Sequence, residues 1–151
     1  MSNIISEKLI FINENFDTKE GLFEFIAKKA EEENRSKAWK ETYEGLVERE
    51  STMSTGFVDG IAIPHTKHES VIEPTLMVIK SANGIPWETM DEKDVILAFS
   101  ILVPAENEDN IHLKLLSKLS RKLMDDQFKE TIINSTSEVE ILSEINKVME
   151  E

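Results

Sequence analysis

The chain has 151 residues, and its 17 lysines and arginines against 30 aspartates and glutamates give a net charge of −13 at pH 7. That length and a hydrophobic content of 40% suit one domain with its own core, so we expect residues 1–151 to form a single domain. The lack of cysteine excludes disulfides, thiolate metal sites and a cysteine nucleophile, and the acidity argues against a nucleic-acid partner.

The first eight residues, MSNIISEK, lack the basic start and long apolar stretch of a secretory signal. The longest apolar run, residues 95–103 with Ser100 inside it, is far shorter than the roughly 20 residues that span a bilayer. These observations predict a soluble protein in the cytoplasm.

Helical and strand-like patterns alternate along the chain. Helices are predicted after the capping-box-like pair Asp17 and Glu20, over about 36–50, over about 110–124 and over about 137–149. Residues 76–79 and 95–103 are apolar on both alternating faces, as in strands covered on both sides, and Asn83-Gly84 between them predicts a tight turn. This interleaving favours an α/β layered sandwich, in which a mixed, mostly parallel sheet of about five strands is flanked by helices on both faces.

Periodicity disappears between residues 51 and 70, where glycines and two of the three histidines collect. The segment from Gly60 to His65 predicts a short buried strand that Pro64 stops, with His65 just beyond its end, where α/β sheets bind ligands. Pro64 restricts the backbone on both sides and so favours one orientation of His65. His65 could be a general base, a metal ligand or a phosphoryl acceptor, and the alternative is a turn histidine without a chemical role.

A second group of candidates lies just upstream. Arg49, the hydroxyls of Ser54 and Thr55, and Gly56, which lets backbone amides come close, are suited to binding a phosphate oxyanion. Arg49 could instead only complement the dipole at the end of its helix.

The other two histidines have competing interpretations. His112 lies in the first turn of the predicted 110–124 helix, where free N–H groups bind anions, but it shares a face with leucines and could be a core residue. His68 lies among charged residues and is interpreted as a solvated loop residue. A zinc site built from all three histidines is an alternative that no ligand spacing favours.

These residues also carry a resemblance to a known family. The motifs are Arg49-Glu50, Ser54-Thr55-Gly56, Gly60-Ile61-Ala62-Ile63-Pro64-His65 and the segment from His112 to Met124. Together they resemble the enzyme IIA domain of the bacterial phosphoenolpyruvate-dependent sugar phosphotransferase system, in its fructose/mannitol branch and most closely its fructose type. The similarity extends over most of the chain, and it implies an α/β sandwich with a mixed sheet.

The resemblance also implies a function. It identifies His65 as the histidine that accepts a phosphoryl group from phospho-HPr and passes it to a cysteine of enzyme IIB, with His112 and Arg49 lining the site. A fructose-type enzyme IIB would be the acceptor, the membrane component enzyme IIC would take part only indirectly, and no metal or cofactor is expected.

Three alternatives stay open. A regulatory, nitrogen-type enzyme IIA would use the same chemistry to control partner proteins and would supply no permease. A metal-dependent hydrolase would use the three histidines, and a binding module would need no chemistry at His65.

Overall fold

The computed structural model describes residues 4–106 and 111–150, and for residues 111 and 112 only the backbone. A short 3₁₀ turn, Glu7–Leu9, precedes the first strand. The strands are β1 (Ile10–Glu14), β2 (Ile61–Ala62), β3 (His65–His68), β4 (Thr75–Ile85) and β5 (Val95–Pro104), and the helices are α1 (Lys19–Glu32), α2 (Trp39–Thr52), α3 (Ile111–Lys122), α4 (Asp126–Asn134) and α5 (Glu138–Met149). Among these helices, none is long and apolar enough to cross a membrane.

The sheet is mixed, with the strand order β1-β4-β5-β2. β4 and β5 are antiparallel, while β1 runs parallel to β4, and both β2 and β3 run parallel to β5. β2 and β3 lie one after the other along the same side of β5, separated by Ile63 and Pro64. Proline has no N–H to donate to a ladder, which explains why the pairing is interrupted there. The predicted α/β fold with a mixed sheet is therefore confirmed.

Helices cover both faces of this sheet. On one face, alternate strand residues such as Phe99 and Ile101 pack in a core cluster with residues of α3, α4 and α5. On the other face, Ala98 and Leu102 pack with residues of α1 and α2. Because successive strand residues point to opposite faces, a strand covered on both sides must be apolar at nearly every position. The two apolar runs are strands for this reason, as predicted.

One local prediction was wrong, and one helix was not predicted. Asn83-Gly84 forms no tight turn, because β4 continues through it to Ile85 with a register irregularity. The Asn83 side chain instead accepts from the N–H of Phe16 at 3.1 Å and donates to its carbonyl at 2.6 Å. Helix α4 was also missed, although Asp125 caps its start by accepting from the N–H of Gln127 at 2.9 Å.

A buried carboxylate joins the end of α2 to the loop that follows it. Glu50 accepts hydrogen bonds from the Thr55 N–H (3.0 Å), the Thr55 hydroxyl (2.5 Å) and the Trp87 indole N–H (3.0 Å). The Lys19 ammonium lies 3.8 Å from the same carboxylate and supplies a compensating charge. These contacts fix the loop between α2 and β2, which leads into the segment that ends at His65.

Glu50→Ala should lower the free energy of unfolding by about 3 kcal/mol, because it leaves three donors without their acceptor in a buried place. Urea denaturation followed by circular dichroism measures this change. The matched control is Glu44→Ala, an exposed carboxylate on the same helix, which should stay within about 0.5 kcal/mol of the parent chain. Equal stability of the two variants would contradict the role given to Glu50.

Candidate functional site

A cleft of about 380 Å³ lies between α2 and the edge strand β3. It contains both His65 and Arg49, which are 16 positions apart in the sequence. Its lining consists of one side of the second half of α2 and the whole of β3: Gly45, Glu48, Arg49, Thr52, His65, Thr66, Lys67 and His68.

Gly45 sets the distance between the two walls of this cleft. A Cβ at position 45 would lie 2.9 Å from the Thr66 hydroxyl and 3.1 Å from Cδ2 of His68, closer than side-chain atoms normally approach. Glycine inside a helix lowers stability by about 1 kcal/mol relative to alanine, so its presence here follows from the packing of α2 on β3. Sequence reasoning missed Gly45, although a glycine in the middle of an amphipathic helical pattern was a usable signal.

His65 is the first residue of β3 and is half-buried. The prediction that it lies beyond a strand end was therefore incomplete, since it follows β2 and also begins the next strand. Its Nδ1 lies 2.8 Å from the carbonyl oxygen of Ile63. A carbonyl only accepts, so Nδ1 carries the proton in this contact, and in the neutral imidazole the lone pair is then on Nε2.

The guanidinium of Arg49 is held near the end of α2. Its Nη1 donates to the carbonyl of Met53 at 2.8 Å, just after the last helical residue. We predicted two roles for Arg49, one at the helix end and one at a phosphate. The two are compatible, because the same side chain also lines the cleft.

The three predicted phosphate-binding residues of the loop bond mainly within it. The Ser54 hydroxyl donates to the Glu88 carbonyl at 2.5 Å and accepts from the Gly56 N–H at 3.1 Å. Thr55 is buried, and both its N–H and its hydroxyl donate to Glu50. None of the three lines the cleft described above, so their role as phosphate ligands stays a prediction. Gly56 has a packing reason to be glycine, since a Cβ there would lie 2.2 Å from the Glu88 carbonyl oxygen.

The turn before β2 is held by ionic contacts. Asp59 and Gly60 both have positive φ, of 58° and 78°. The Asp59 N–H donates to the Asp91 carboxylate at 2.9 Å, and this bond holds the pKa of Asp91 below its usual value. The Asp59 carboxylate accepts from the Lys129 ammonium at 2.5 Å, which raises the pKa of Lys129 despite its burial. These contacts tie the turn to α4. They also fix the position at which β2 begins, and therefore the position of His65, which follows β2.

His68 is not the solvated loop residue that the sequence suggested. It is the last residue of β3, is half-buried and lines the same cleft as His65. Its Nδ1 accepts from the Ser70 N–H at 3.0 Å and lies 2.9 Å from the Ser70 hydroxyl. No sequence signal separated this histidine from its charged neighbours, because the strand pairing that buries it is a tertiary contact.

His112 is the second residue of α3, but its side chain lies outside the described residues, so its role stays a prediction. The sheet register nevertheless relates His65 to this helix. His65 is paired with Ile101, which belongs to the same core cluster as Leu115 and Leu119 of α3. Side chains paired across a ladder share a face of the sheet, so the side chain of His65 is on the face that α3 covers.

The charges that line the cleft suit an oxyanion. Arg49 and Lys67 bring two positive charges, against the single carboxylate of Glu48. This local excess of positive charge occurs in a chain whose net charge is −13. Among residues 4–106 and the described side chains after 112, no group of three or more candidate ligands could hold a metal ion. The arrangement fits binding and transfer of a phosphoryl group.

Comparison with known sequences gives a consistent result. Residues 3–148 match the family model described as "Phosphoenolpyruvate-dependent sugar phosphotransferase system, EIIA 2". The chain is 37% identical over 150 residues to the PTS system fructose-specific EIIA component of Haloferax volcanii, covering 99% of this chain and 97% of that one. It is 33% identical to the PTS system fructose-specific EIIABC component of Bacillus subtilis, of which it spans only 23%.

Solved structures show the same relationship. The nitrogen regulatory protein IIA-Ntr of Neisseria meningitidis superimposes with a TM-score of 0.87 at 31% identity, covering 95% of this chain and 97% of that chain. The enzyme IIA of the Escherichia coli mannitol system, solved in complex with phosphorylated enzyme IIB, has a TM-score of 0.80 at 17% identity, with 95% and 97% covered, and so shows the shared fold. The chain therefore belongs to the EIIA 2 family of the phosphoenolpyruvate-dependent sugar phosphotransferase system, and it is a phosphotransferase that acts through a phosphohistidine.

Proposed function

We propose that His65 accepts a phosphoryl group through Nε2 from phospho-HPr and passes it to a cysteine of a fructose-type enzyme IIB, in the cytoplasm. The observation that carries this proposal is the hydrogen bond of 2.8 Å between Nδ1 of His65 and the Ile63 carbonyl. This bond keeps the proton on Nδ1 and orients the ring, so that in the neutral imidazole the lone pair that attacks phosphorus is on Nε2.

The transfer step needs no proton to be removed from the attacking atom. The Nε2 lone pair forms the bond to phosphorus while the bond between phosphorus and the donor breaks, and Nδ1 keeps its proton. The positive charge that the ring acquires is stabilised by the Ile63 carbonyl, which accepts from Nδ1. In the second transfer, the cysteine of enzyme IIB attacks the same phosphorus, and the bond between phosphorus and Nε2 breaks.

Arg49 is the candidate for stabilising the phosphoryl oxygens. Its bond to the Met53 carbonyl uses Nη1, and a guanidinium has further N–H donors for an oxyanion. Preorganised donors of this kind stabilise the charge that builds up on phosphorus oxygens without reorganisation. His112, placed by its backbone at the start of α3, is proposed to complete the site.

Apolar side chains near this site are proposed to dock the partner proteins. Met53 follows α2 and is 70% exposed, and Met90 is 72% exposed. The Met90 N–H donates to the carbonyl of Phe57, so both lie beside the loop that leads into β2. Phe57 itself is half-buried against the core. Together with Val58, these residues offer an apolar patch, and the acidic surface around it suits a basic donor.

A fructose-type acceptor is supported by the fructose-specific names of two relatives at 37% and 33% identity. A regulatory role is the second candidate, because the nitrogen regulatory protein of N. meningitidis shares the fold at a TM-score of 0.87 and 31% identity. Both candidates use the same chemistry at His65 and differ in which protein receives the phosphoryl group or responds to it.

Incubation with phosphoenolpyruvate, enzyme I and HPr should add one acid-labile phosphoryl group to the chain, because Nε2 of His65 is the nucleophile. Intact-mass spectrometry measures the adduct. His65→Ala should abolish it, whereas His112→Ala should slow its formation and still allow it. An adduct that survives His65→Ala and disappears with His112→Ala would contradict the assignment.

Arg49→Gln should slow phosphoryl acceptance by roughly 100-fold, since it removes a charged donor that binds the oxygens during transfer. Rapid-quench measurements with phospho-HPr give the rate constant. Arg121→Gln removes an equal charge from an exposed position on α3 and should leave the rate within about twofold. Similar losses in both variants would mean that overall charge, and not the position of Arg49, sets the rate.

A fructose-type enzyme IIB from the source organism should take the phosphoryl group from the phosphorylated chain and return its mass to that of the starting protein. The reason is that the two fructose-specific relatives are 37% and 33% identical to the chain over nearly its full length. A cysteine-to-serine variant of the enzyme IIB is the control and should receive nothing. Transfer to no enzyme IIB, with the adduct present, would favour the regulatory role.

A further inference from the structure

Lys67 lies two residues after His65 on the edge strand β3, and the two side chains are on the same face of the sheet. The ladder with β5 pairs His65 with Ile101. It pairs Lys67 with Val103, and both β5 residues belong to the core cluster that contains α3. Ile63 belongs to that cluster too, and the register is the same on both sides of the break. Ile63, His65 and Lys67 thus follow one another along one face, about 7 Å apart at each step.

The hydrogen bond of His65 decides which edge of its ring is on the Lys67 side. Nδ1 lies 2.8 Å from the carbonyl oxygen of Ile63, which precedes the ring along the strand. In an imidazole, the edge opposite Nδ1 is formed by Cδ2 and Nε2. That edge is therefore turned forward along the strand, toward Lys67. A phosphoryl group on Nε2 would be attached on this side.

The ammonium of Lys67 is available for such a group. Its side chain is exposed and lines the same cleft as His65. Glu48 also lines this cleft, but among the described residues no carboxylate or carbonyl accepts from Lys67. Arg49, the other cation of the lining, already donates to the Met53 carbonyl. The flexible four-carbon stem of a lysine can carry its ammonium across the distance of about 7 Å to the next side chain on its face.

A lysine on an edge strand also has a structural explanation, because its charge discourages the pairing of another strand. That role needs an exposed charge on the edge, but it does not need the charge on a particular face. It also predicts that phosphoryl transfer is unchanged when the charge is removed. The two explanations therefore differ in a measurable rate.

We propose that the ammonium of Lys67 binds the phosphoryl oxygens during transfer to Nε2 of His65, which makes Lys67 a further catalytic residue. This inference rests on the proposed role of His65 as the nucleophile. The oxygens are negatively charged throughout the transfer, and a positioned ammonium offsets that charge without taking part in the bonds that form and break. No proton moves to or from Lys67.

A small phosphoryl donor tests this contact without a docking protein. With phosphoramidate, the bond between phosphorus and Nε2 of His65 forms while the donor's P–N bond breaks, and ammonia leaves. Intact-mass spectrometry gives the rate of adduct formation. Lys67→Gln removes the charge and Lys67→Arg keeps it. The matched control is Lys28→Gln, which removes an equal charge from an exposed position on α1, on the other face of the sheet.

Lys67→Gln should slow adduct formation by about 30-fold, the effect of one hydrogen bond between charged groups. Lys67→Arg and Lys28→Gln should each stay within about threefold of the parent chain. Melting curves establish that all variants fold, as expected for exposed positions. An unchanged rate in Lys67→Gln would overturn the proposal. An equal loss in Lys28→Gln would overturn it as well, because overall charge would then set the rate.

Spectra of the ¹⁵N-labelled lysine ammonium groups show the contact directly. When His65 carries the phosphoryl group, the Nζ signal of Lys67 should shift and its protons should exchange more slowly with water, whereas the signal of Lys28 should not change. An unchanged Lys67 signal in the phosphorylated protein would overturn the contact.

The same experiment separates a failure of this inference from a failure of the proposed function. If phospho-HPr adds no phosphoryl group to the wild-type chain, its role as donor is refuted, while the phosphoramidate adduct still decides the role of Lys67. If the phosphoramidate adduct survives His65→Ala, the proposed nucleophile is refuted, and the contact with Lys67 is refuted with it.

Discussion

The strand beside β5 is broken at Ile63 and Pro64, and the geometry of His65 depends on that break. Pro64 cannot donate to the ladder, but its carbonyl still accepts from the Ile101 N–H at 3.0 Å, which starts β3 in register. The Ile63 carbonyl is left for the Nδ1 of His65. The acceptor that orients the imidazole thus lies in the short segment between β2 and β3, on both sides of which the pairing with β5 keeps the same register.

Two imidazoles three positions apart receive opposite protonation patterns from the backbone. A carbonyl beside His65 demands a proton on Nδ1, whereas an amide beside His68 demands a lone pair there. In the neutral rings, the proton is thus on Nδ1 of His65 and on Nε2 of His68. The division requires no unusual residue types, because it follows from which backbone group each side chain meets.

The cleft is lined by positive charges, although the chain as a whole is negatively charged. The chain carries a net charge of −13, yet Arg49 and Lys67 line the cleft that also contains His65. In the proposed function, the negative surface would attract a basic partner over a long range, and the local cations would stabilise the transferred group after docking. Gly45 makes this arrangement possible, since any side chain at that position would separate α2, which carries Arg49, from β3.

The α/β class and the four long helices could be predicted from the amino-acid sequence, because amphipathic periodicity and two-sided apolar runs are local signals of burial. It also pointed to His65, through the proline that precedes it, and to Arg49, through the hydroxyls and the glycine that follow it in the chain. It could not show that Thr55 donates to Glu50, that Asn83 binds the backbone of Phe16, or that His68 is a strand residue facing α2. Each of those depends on a partner distant in the chain or on strand pairing. Hydrogen bonds of polar side chains have no periodicity along the chain. Which polar groups hold the loop and which line the cleft therefore follows from the packing of distant segments, and no local pattern predicts it.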